Sequence, residues 1–200
     1  CSRGEGLRRL EYRGYDSAGV AVVTPVGVQS RKRAGKLANL EKALAEAPLP
    51  DTTVGIGHTR WATHGAPNDV NAHPHLSEDG SLAVIHNGII ENFAELRSLL
   101  QADGVTFLSE TDTEVAAHLL AKMVGETGSL TEAMQATCRQ LRGAFTLVAA
   151  SAEDPDTLVG ARRNSPLVVG LGDGETFLAS DVSAFIAHTR RAMELGQDQV

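Results

Sequence analysis

Eight consecutive residues, His58-Thr59-Arg60-Trp61-Ala62-Thr63-His64-Gly65, bring together two imidazoles, a guanidinium, two hydroxyls and the single tryptophan of the chain. The apolar run Thr53-Val54-Gly55-Ile56-Gly57 precedes them and reads as a short buried strand. Polar side chains held at the end of a rigid strand commonly face a ligand. The plainer alternative is an ordered turn whose Trp61 caps the core. A second polar strand end follows. Leu82-Ala83-Val84-Ile85 is an apolar run, His86-Asn87-Gly88 comes next, and Ile89 to Leu96 has helical spacing. Asn-Gly is a strong turn dipeptide, so a turn is predicted here between strand and helix. The amide of Asn87 and the backbone N–H of Gly88 would then both point outward. Two such donors can make an oxyanion hole, which stabilises charge developing on a carbonyl oxygen. The alternative is a β-to-α turn in which Gly88 serves only its positive φ.

The elements that must position these residues follow from periodicity. Gly6 to Arg13 reads as the end of a helix. Ala18 to Val23 and Val26 to Arg33 read as a hairpin around Thr24-Pro25. Leu37, Leu40, Leu44 and Ala47 have helical spacing, as do Ile90, Phe93, Leu96, Arg97 and Leu100. Thr111 with Glu114, and Ser129 with Glu132, are expected to be capping boxes. The first opens a helix over about 112–124. The second opens one whose apolar stripe carries Leu130, Ala133, Met134, Thr137, Cys138 and Leu141. The last third reads as strands over 144–150, 157–161, 167–171 and 176–179, with Gly172-Asp173-Gly174 a hairpin turn. Helices and antiparallel hairpins grouped separately mean an α+β fold.

The chain has 200 residues, enough for one domain, and is 42% hydrophobic. Its formal charge is −7, and no basic footprint of the kind nucleic acid demands is present. Arg31-Lys32-Arg33 reads as a solvated hairpin arm. No run of about 18 apolar residues exists for a membrane span. Two cysteines, Cys1 and Cys138, make no disulfide framework, which fits a cytoplasmic protein.

Five blocks occur in order: Leu7-Arg8-Arg9-Leu10-Glu11-Tyr12-Arg13-Gly14-Tyr15-Asp16-Ser17-Ala18-Gly19, the 58–65 block, Asn71-Ala72-His73-Pro74-His75, His86-Asn87-Gly88-Ile89-Ile90-Glu91-Asn92, and Glu110-Thr111-Asp112-Thr113-Glu114. Together they resemble the glutaminase domain of the glutamine–fructose-6-phosphate aminotransferase family, which are class II glutamine amidotransferases. Ser165-Pro166-Leu167-Val168 and Ala179-Ser180-Asp181 fit the same pattern. The resemblance spans nearly the whole chain and implies one glutaminase domain over residues 1–200. It also implies a four-layer α-β-β-α sandwich of the N-terminal-nucleophile hydrolase type.

The implied activity is hydrolysis of L-glutamine, with the ammonia passed to fructose 6-phosphate bound by C-terminal isomerase domains that this chain does not contain. An N-terminal cysteine supplies the nucleophile and, through its α-amine, the base. Cys1 is the candidate. By this resemblance Asn87 and Gly88 are the candidates for the oxyanion hole. Arg60 takes the α-carboxylate of glutamine as a planar fork, and Asp112 takes the α-ammonium. Trp61, Thr63 and His64 line the pocket, while Arg13 and His73 support it. No cofactor and no metal are implied; the parent protein is expected to be a homo-oligomer without nucleic-acid or membrane partners.

One departure stands out. In the family the nucleophile opens a Cys-Gly-Ile-Val-Gly strand ahead of the first helix. Here Cys1 is followed by Ser2-Arg3-Gly4-Glu5-Gly6 and then Leu7, so the first strand is expected to be missing. The alternative to an active glutaminase is therefore a non-catalytic glutamine-binding or assembly fragment. A zinc hydrolase built on His58, His64, His73, His75 and His86 is a further alternative. The His73-Pro74-His75 pair lacks a carboxylate or thiolate at ligand spacing. Cys138, on an apolar helix stripe, reads as inert filling.

Overall fold

The computed structural model describes residues 5–200, leaving aside the side chain of Arg13. A short helix α1 (Glu5–Leu10) and a 3-10 turn (Glu11–Arg13) lead into the hairpin β1 (Ser17–Thr24) and β2 (Gly27–Ala34). Helix α2 (Leu37–Glu46) precedes β3 (Gly55–Arg60), which pairs antiparallel with β1 and completes a sheet ordered β2-β1-β3. A second sheet is ordered β4-β5-β6-β7, from β4 (His75–Leu76), β5 (Leu82–Ile90), β6 (Gly143–Ser151) and β7 (Leu158–Arg163). Between β5 and β6 run α3 (Phe93–Ala102), α4 (Asp112–Thr127) and α5 (Leu130–Gln140). A small third sheet, β10-β8-β9, is built from β8 (Val168–Leu171), β9 (Thr176–Ala179) and β10 (Ala192–Glu194).

Period-two alternation along the strands assembles the layers. On β1, Ala18, Val20 and Val22 pack with Leu7 of α1 and with Leu37 and Leu40 of α2. The intervening Ala21 and Val23 join Ile56 of β3 against Ala83, Val148 and Ala150 of the second sheet. The far face of that second sheet, Leu82, Val84, Phe145, Leu147 and Ala149, packs on α3, α4 and α5. The result is the expected α+β fold with α-β-β-α layering. No helix among the described residues is long and apolar enough to cross a membrane.

Three expectations are corrected. The strand predicted over 53–57 starts at Gly55 and runs through Arg60, because Ser17 to Val22 of β1 pair with it residue by residue from Arg60 back to Gly55. The polar block therefore begins inside the strand. The turn predicted at Asn87-Gly88 is also strand: β5 continues to Ile90 opposite β6, with Gly88 facing Phe145 and Ile90 facing Gly143. Gly88 holds φ +118, outside the range of regular strands, so the ladder is distorted at that residue without ending. The helix expected from Ile90 begins at Phe93 instead. Third, the Thr111–Glu114 box is one-sided. Thr111 accepts from the Glu114 N–H, but the Glu114 carboxylate turns to the N–H groups of Leu108 (2.8 Å) and Ser109 (2.7 Å) and ties down the preceding loop.

Two glycines separate backbone crowding from backbone freedom. A Cβ on Gly19 would fall far inside contact distance of the His73 carbonyl oxygen and 2.7 Å from Lys32 Cβ, whereas one on Gly125 of α4 meets nothing. Gly19→Ala should therefore lower the urea midpoint by the equivalent of about 1–3 kcal/mol. Gly125→Ala should raise it by about 0.5–1 kcal/mol. Equal effects from the two substitutions would contradict this packing.

Candidate active site

Adjacent residues on two strands divide the polar groups between two faces. On β3, Ile56, His58 and Arg60 are buried while their neighbours are more exposed, so the imidazole and guanidinium enter the space between the sheets. On β5, His86 shares a face with Leu82 and Val84, toward α4. Asn87 shares the opposite face, toward β3. Asn87 Oδ1 there meets His58 Nε2 at 2.8 Å. His86 Nδ1 meets the Thr113 hydroxyl at 3.0 Å, and His73 Nε2 meets the same hydroxyl at 2.6 Å. His75 Nε2 lies 3.0 Å from the Thr111 hydroxyl. The first turn of α4 thus fastens three histidines.

These imidazoles are buried and crowd one another. His58 stacks on His73 with centroids 4.5 Å apart, and His73 meets His75 edge-on at 5.1 Å. Burial pulls His58 down to about 4 against the opposing Asn87 hydrogen bond, and pulls His73 well below the usual imidazole range, with His58 and His75 adding to the effect. Burial, aided by Lys32, takes His75 to about 3. His58, His73 and His75 therefore form a neutral scaffold. No group of three His, Cys, Asp or Glu side chains among the described residues is arranged to hold a metal ion.

Arg60 is only 3% exposed. One arm, Nη2, donates to the carbonyl oxygens of His64 and Gly65, folding the loop after β3 back onto the strand. The other arm, Nη1, is buried without a hydrogen-bond partner. Burial lowers the guanidinium pKa, and Asp16 and Asp112 oppose that effect. Asp16 also accepts from the Ala62 N–H, so it anchors the same loop. Asp112 accepts from the Ile90 N–H at 3.0 Å and faces His86 (3.7 Å) and His64 (3.8 Å). Burial on its own would raise the Asp112 pKa; the His86 contact, the Ile90 hydrogen bond and His64 outweigh it and leave the carboxyl below its ordinary value.

Arg60, Trp61, Thr63, His73, Asn87, Gly88 and Asp112 all line one cavity of about 1490 Å³. His64, expected to line the pocket, is not among its lining residues and lies edge-on to Phe93. Trp61 is 62% exposed and packs edge-on against Tyr15 at the rim, so it does not cap the core. Cys1 and the Arg13 side chain lie outside the described residues. Cys138 is remote from this cavity, on a separate pocket with Arg163 and Val200, and burial pushes its thiol up to about 11. Asp16, His58 and Thr113 were not singled out as site residues from sequence. Each lies in one of the five ordered blocks, and that membership was the only signal that could have found them.

The same cavity is lined by every residue of β3 and every residue of β9. Successive strand side chains point to opposite faces, so a strand can line a space with all its residues only through its backbone edge. Among the described residues β3 pairs only with β1, and β9 only with β8. Two free strand edges therefore border one cavity.

This fold is that of a known class. The family model described as "Glutamine amidotransferase domain" matches residues 58–187, and the chain belongs to that family. Among particular proteins, it is 67% identical over 195 residues to glutamine–fructose-6-phosphate aminotransferase [isomerizing] of Streptomyces coelicolor, covering 98% of this chain and 32% of that protein. The namesake of Corynebacterium glutamicum is 63% identical over 198 residues, with the same coverage. The chain spans about a third of the length of these curated relatives. Among solved structures, the allosteric regulatory enzyme of purine biosynthesis superposes with a TM-score of 0.80 at 26% identity, over 96% of this chain and 42% of that one. Glutamine phosphoribosylpyrophosphate amidotransferase from B. subtilis gives 0.76 at 25% identity, with the same coverage.

The histidine cluster makes a pH prediction. Unfolded, each imidazole titrates near 6.5; folded, His58 and His75 stay neutral to about 4 and about 3. Between pH 6.5 and 4.5 the unfolded chain binds more protons, so stability falls as pH falls, by up to about 1.4 kcal/mol per histidine per pH unit. Urea midpoints at pH 7.0 and 5.5 should show that loss above the range where carboxylates chiefly titrate. A flat profile over this interval would mean that the cluster is not buried and neutral.

Proposed function

We propose that this chain is the glutaminase unit of a glutamine–fructose-6-phosphate aminotransferase. It hydrolyses the side-chain amide of L-glutamine to glutamate and ammonia, and segments outside this chain transfer the ammonia to fructose 6-phosphate to form glucosamine 6-phosphate. The reaction belongs in the cytoplasm, and the complete enzyme is a homo-oligomer. The observation that carries the reading is one cavity combining a buried cation with a free arm, a depressed carboxylate, and a side-chain amide beside a glycine peptide.

Each feature answers a requirement of the chemistry. Glutamine presents a zwitterion at one end and a carboxamide at the other. The free Nη1 of Arg60 suits the α-carboxylate, since a guanidinium binds it through paired N–H donors. Asp112, held ionised, suits the α-ammonium. The Asn87 amide and the Gly88 N–H supply the oxyanion donors, each worth about 2.7–4 kcal/mol in the transition state. A carboxamide is a poor electrophile, so a thiolate that forms a covalent thioester divides the barrier into two smaller ones. Water then releases glutamate.

Cys138 cannot supply that thiolate from its separate pocket. We assign the nucleophile to the head of an extended segment that enters the space between the β3 and β9 edges and pairs with both. A strand of about five or six residues, of the Cys-Gly-Ile-Val-Gly kind, suits it. The domain is then 1–200 plus that strand, and the non-catalytic alternative describes the same chain without it.

The test compares residues 1–200 with a version carrying Cys-Gly-Ile-Val-Gly ahead of the first helix with a free α-amine. Glutamate release should be at least about a hundredfold faster in the second, since a misplacement near 1 Å costs that much. Replacing the added cysteine should abolish it. Equal rates would refute the strand assignment, and turnover surviving removal of every cysteine would refute the thioester route. In the active form Arg60→Lys should raise KM for glutamine at least about tenfold, because lysine lacks the fork. An unchanged KM would move the carboxylate site elsewhere.

A further inference from the structure

We propose that His58 is a positioning residue: it holds the Asn87 side-chain oxygen so that the amide N–H groups face the reacting carbonyl. The inference rests on the glutaminase reading of the cavity and assigns a role to a residue that reading leaves idle.

An asparagine amide is nearly symmetric in shape and opposite in polarity at its two ends. Turned one way, Asn87 offers the cavity two donors; turned the other, it offers a carbonyl oxygen that repels a developing oxyanion. Neighbouring groups decide which. His58 Nε2 lies 2.8 Å from Asn87 Oδ1. His58 is 8% exposed, and its plane is set by stacking on His73. His58 Nδ1 is buried and makes no hydrogen bond. A neutral imidazole carries one proton. On Nε2, it is donated to Asn87 Oδ1 and leaves Nδ1 as an unpaired acceptor. On Nδ1, it leaves a buried unpaired N–H and makes Nε2 an acceptor that turns the amide over. Buried orphan donors are rarer than under-satisfied acceptors, so the geometry points to the Nε2–H form. His58 then acts at one remove: it touches no substrate atom but sets the polarity of the group that does.

Two measurements test this. Long-range proton–nitrogen correlation on the 15N-labelled chain at pH 7 reads which ring nitrogen of His58 carries the proton. Nε2–H is expected, and Nδ1–H would overturn the proposal, because the amide would then present its oxygen. In the strand-carrying protein, His58→Leu should lower kcat for glutamine about 10²- to 10³-fold, the cost of one lost oxyanion donor, with KM within about twofold. His58→Gln, whose amide nitrogen can take the place of Nε2, should recover at least about tenfold of that loss. Equal kcat in His58→Leu and the parent overturns the proposal, as does a loss that His58→Gln does not relieve at an unchanged melting midpoint. A parent without glutamine turnover refutes the glutaminase reading, and with it the catalytic role of His58, whereas the tautomer reports on the His58–Asn87 contact alone.

Discussion

A guanidinium buried between two β-sheets is the constraint around which this domain is organised. Taking such an ion out of water costs several kcal/mol unless neighbours compensate. At Arg60 the compensation is assembled from separate parts of the chain. The carbonyls of His64 and Gly65 bend back to one arm, and Asp16 and Asp112 supply opposite charge from the start of β1 and the start of α4. Asp16 in turn fixes the Ala62 N–H. The loop after β3 therefore takes its shape from the ion. The other arm stays buried without a hydrogen-bond partner.

The neighbouring histidines solve a related problem differently. Burial takes the charge from His58, His73 and His75, and the hydroxyls of Thr113 and Thr111 at the start of α4 hold His73 and His75. Lys32 closes the far side, its ammonium donating to the carbonyls of Val70 (3.0 Å) and Ala72 (2.8 Å). The loop through His73 is thereby fastened from both directions. With His58, His73 and His75 neutral, Arg60 and Asp112 stand beside them as opposite charges on the wall of the cavity.

Much of this was legible in the sequence, for identifiable reasons. The hairpin, the helices over 37–46, 112–127 and 130–140, and the strands of the last third follow from periodicity and end signals. Asn87-Gly88 misled because a turn dipeptide is a local signal, and pairing with β6 overrode it; the positive φ of Gly88 was absorbed within the strand. β4 and β10, two and three residues long, are too short to show a period. The polar blocks identified Arg60, Asn87 and Asp112, and the fold brings them to one cavity. Partnerships across 29 and 40 positions, His58 with Asn87 and His73 with Thr113, have no local signature, since they arise where strand faces happen to oppose.

The account stands most directly on recognition of glutamine by its charged end. The measurement is a titration of the 15N-labelled chain with L-glutamine and with 4-carbamoylbutanoate, which lacks the α-ammonium, followed by amide chemical shifts. L-Glutamine should move the signals of Arg60, Asn87, Gly88 and Asp112 together with one dissociation constant, and 4-carbamoylbutanoate should bind at least about tenfold more weakly. Shifts confined to other parts of the fold, or equal binding of the two ligands, would contradict a zwitterion site between Arg60 and Asp112.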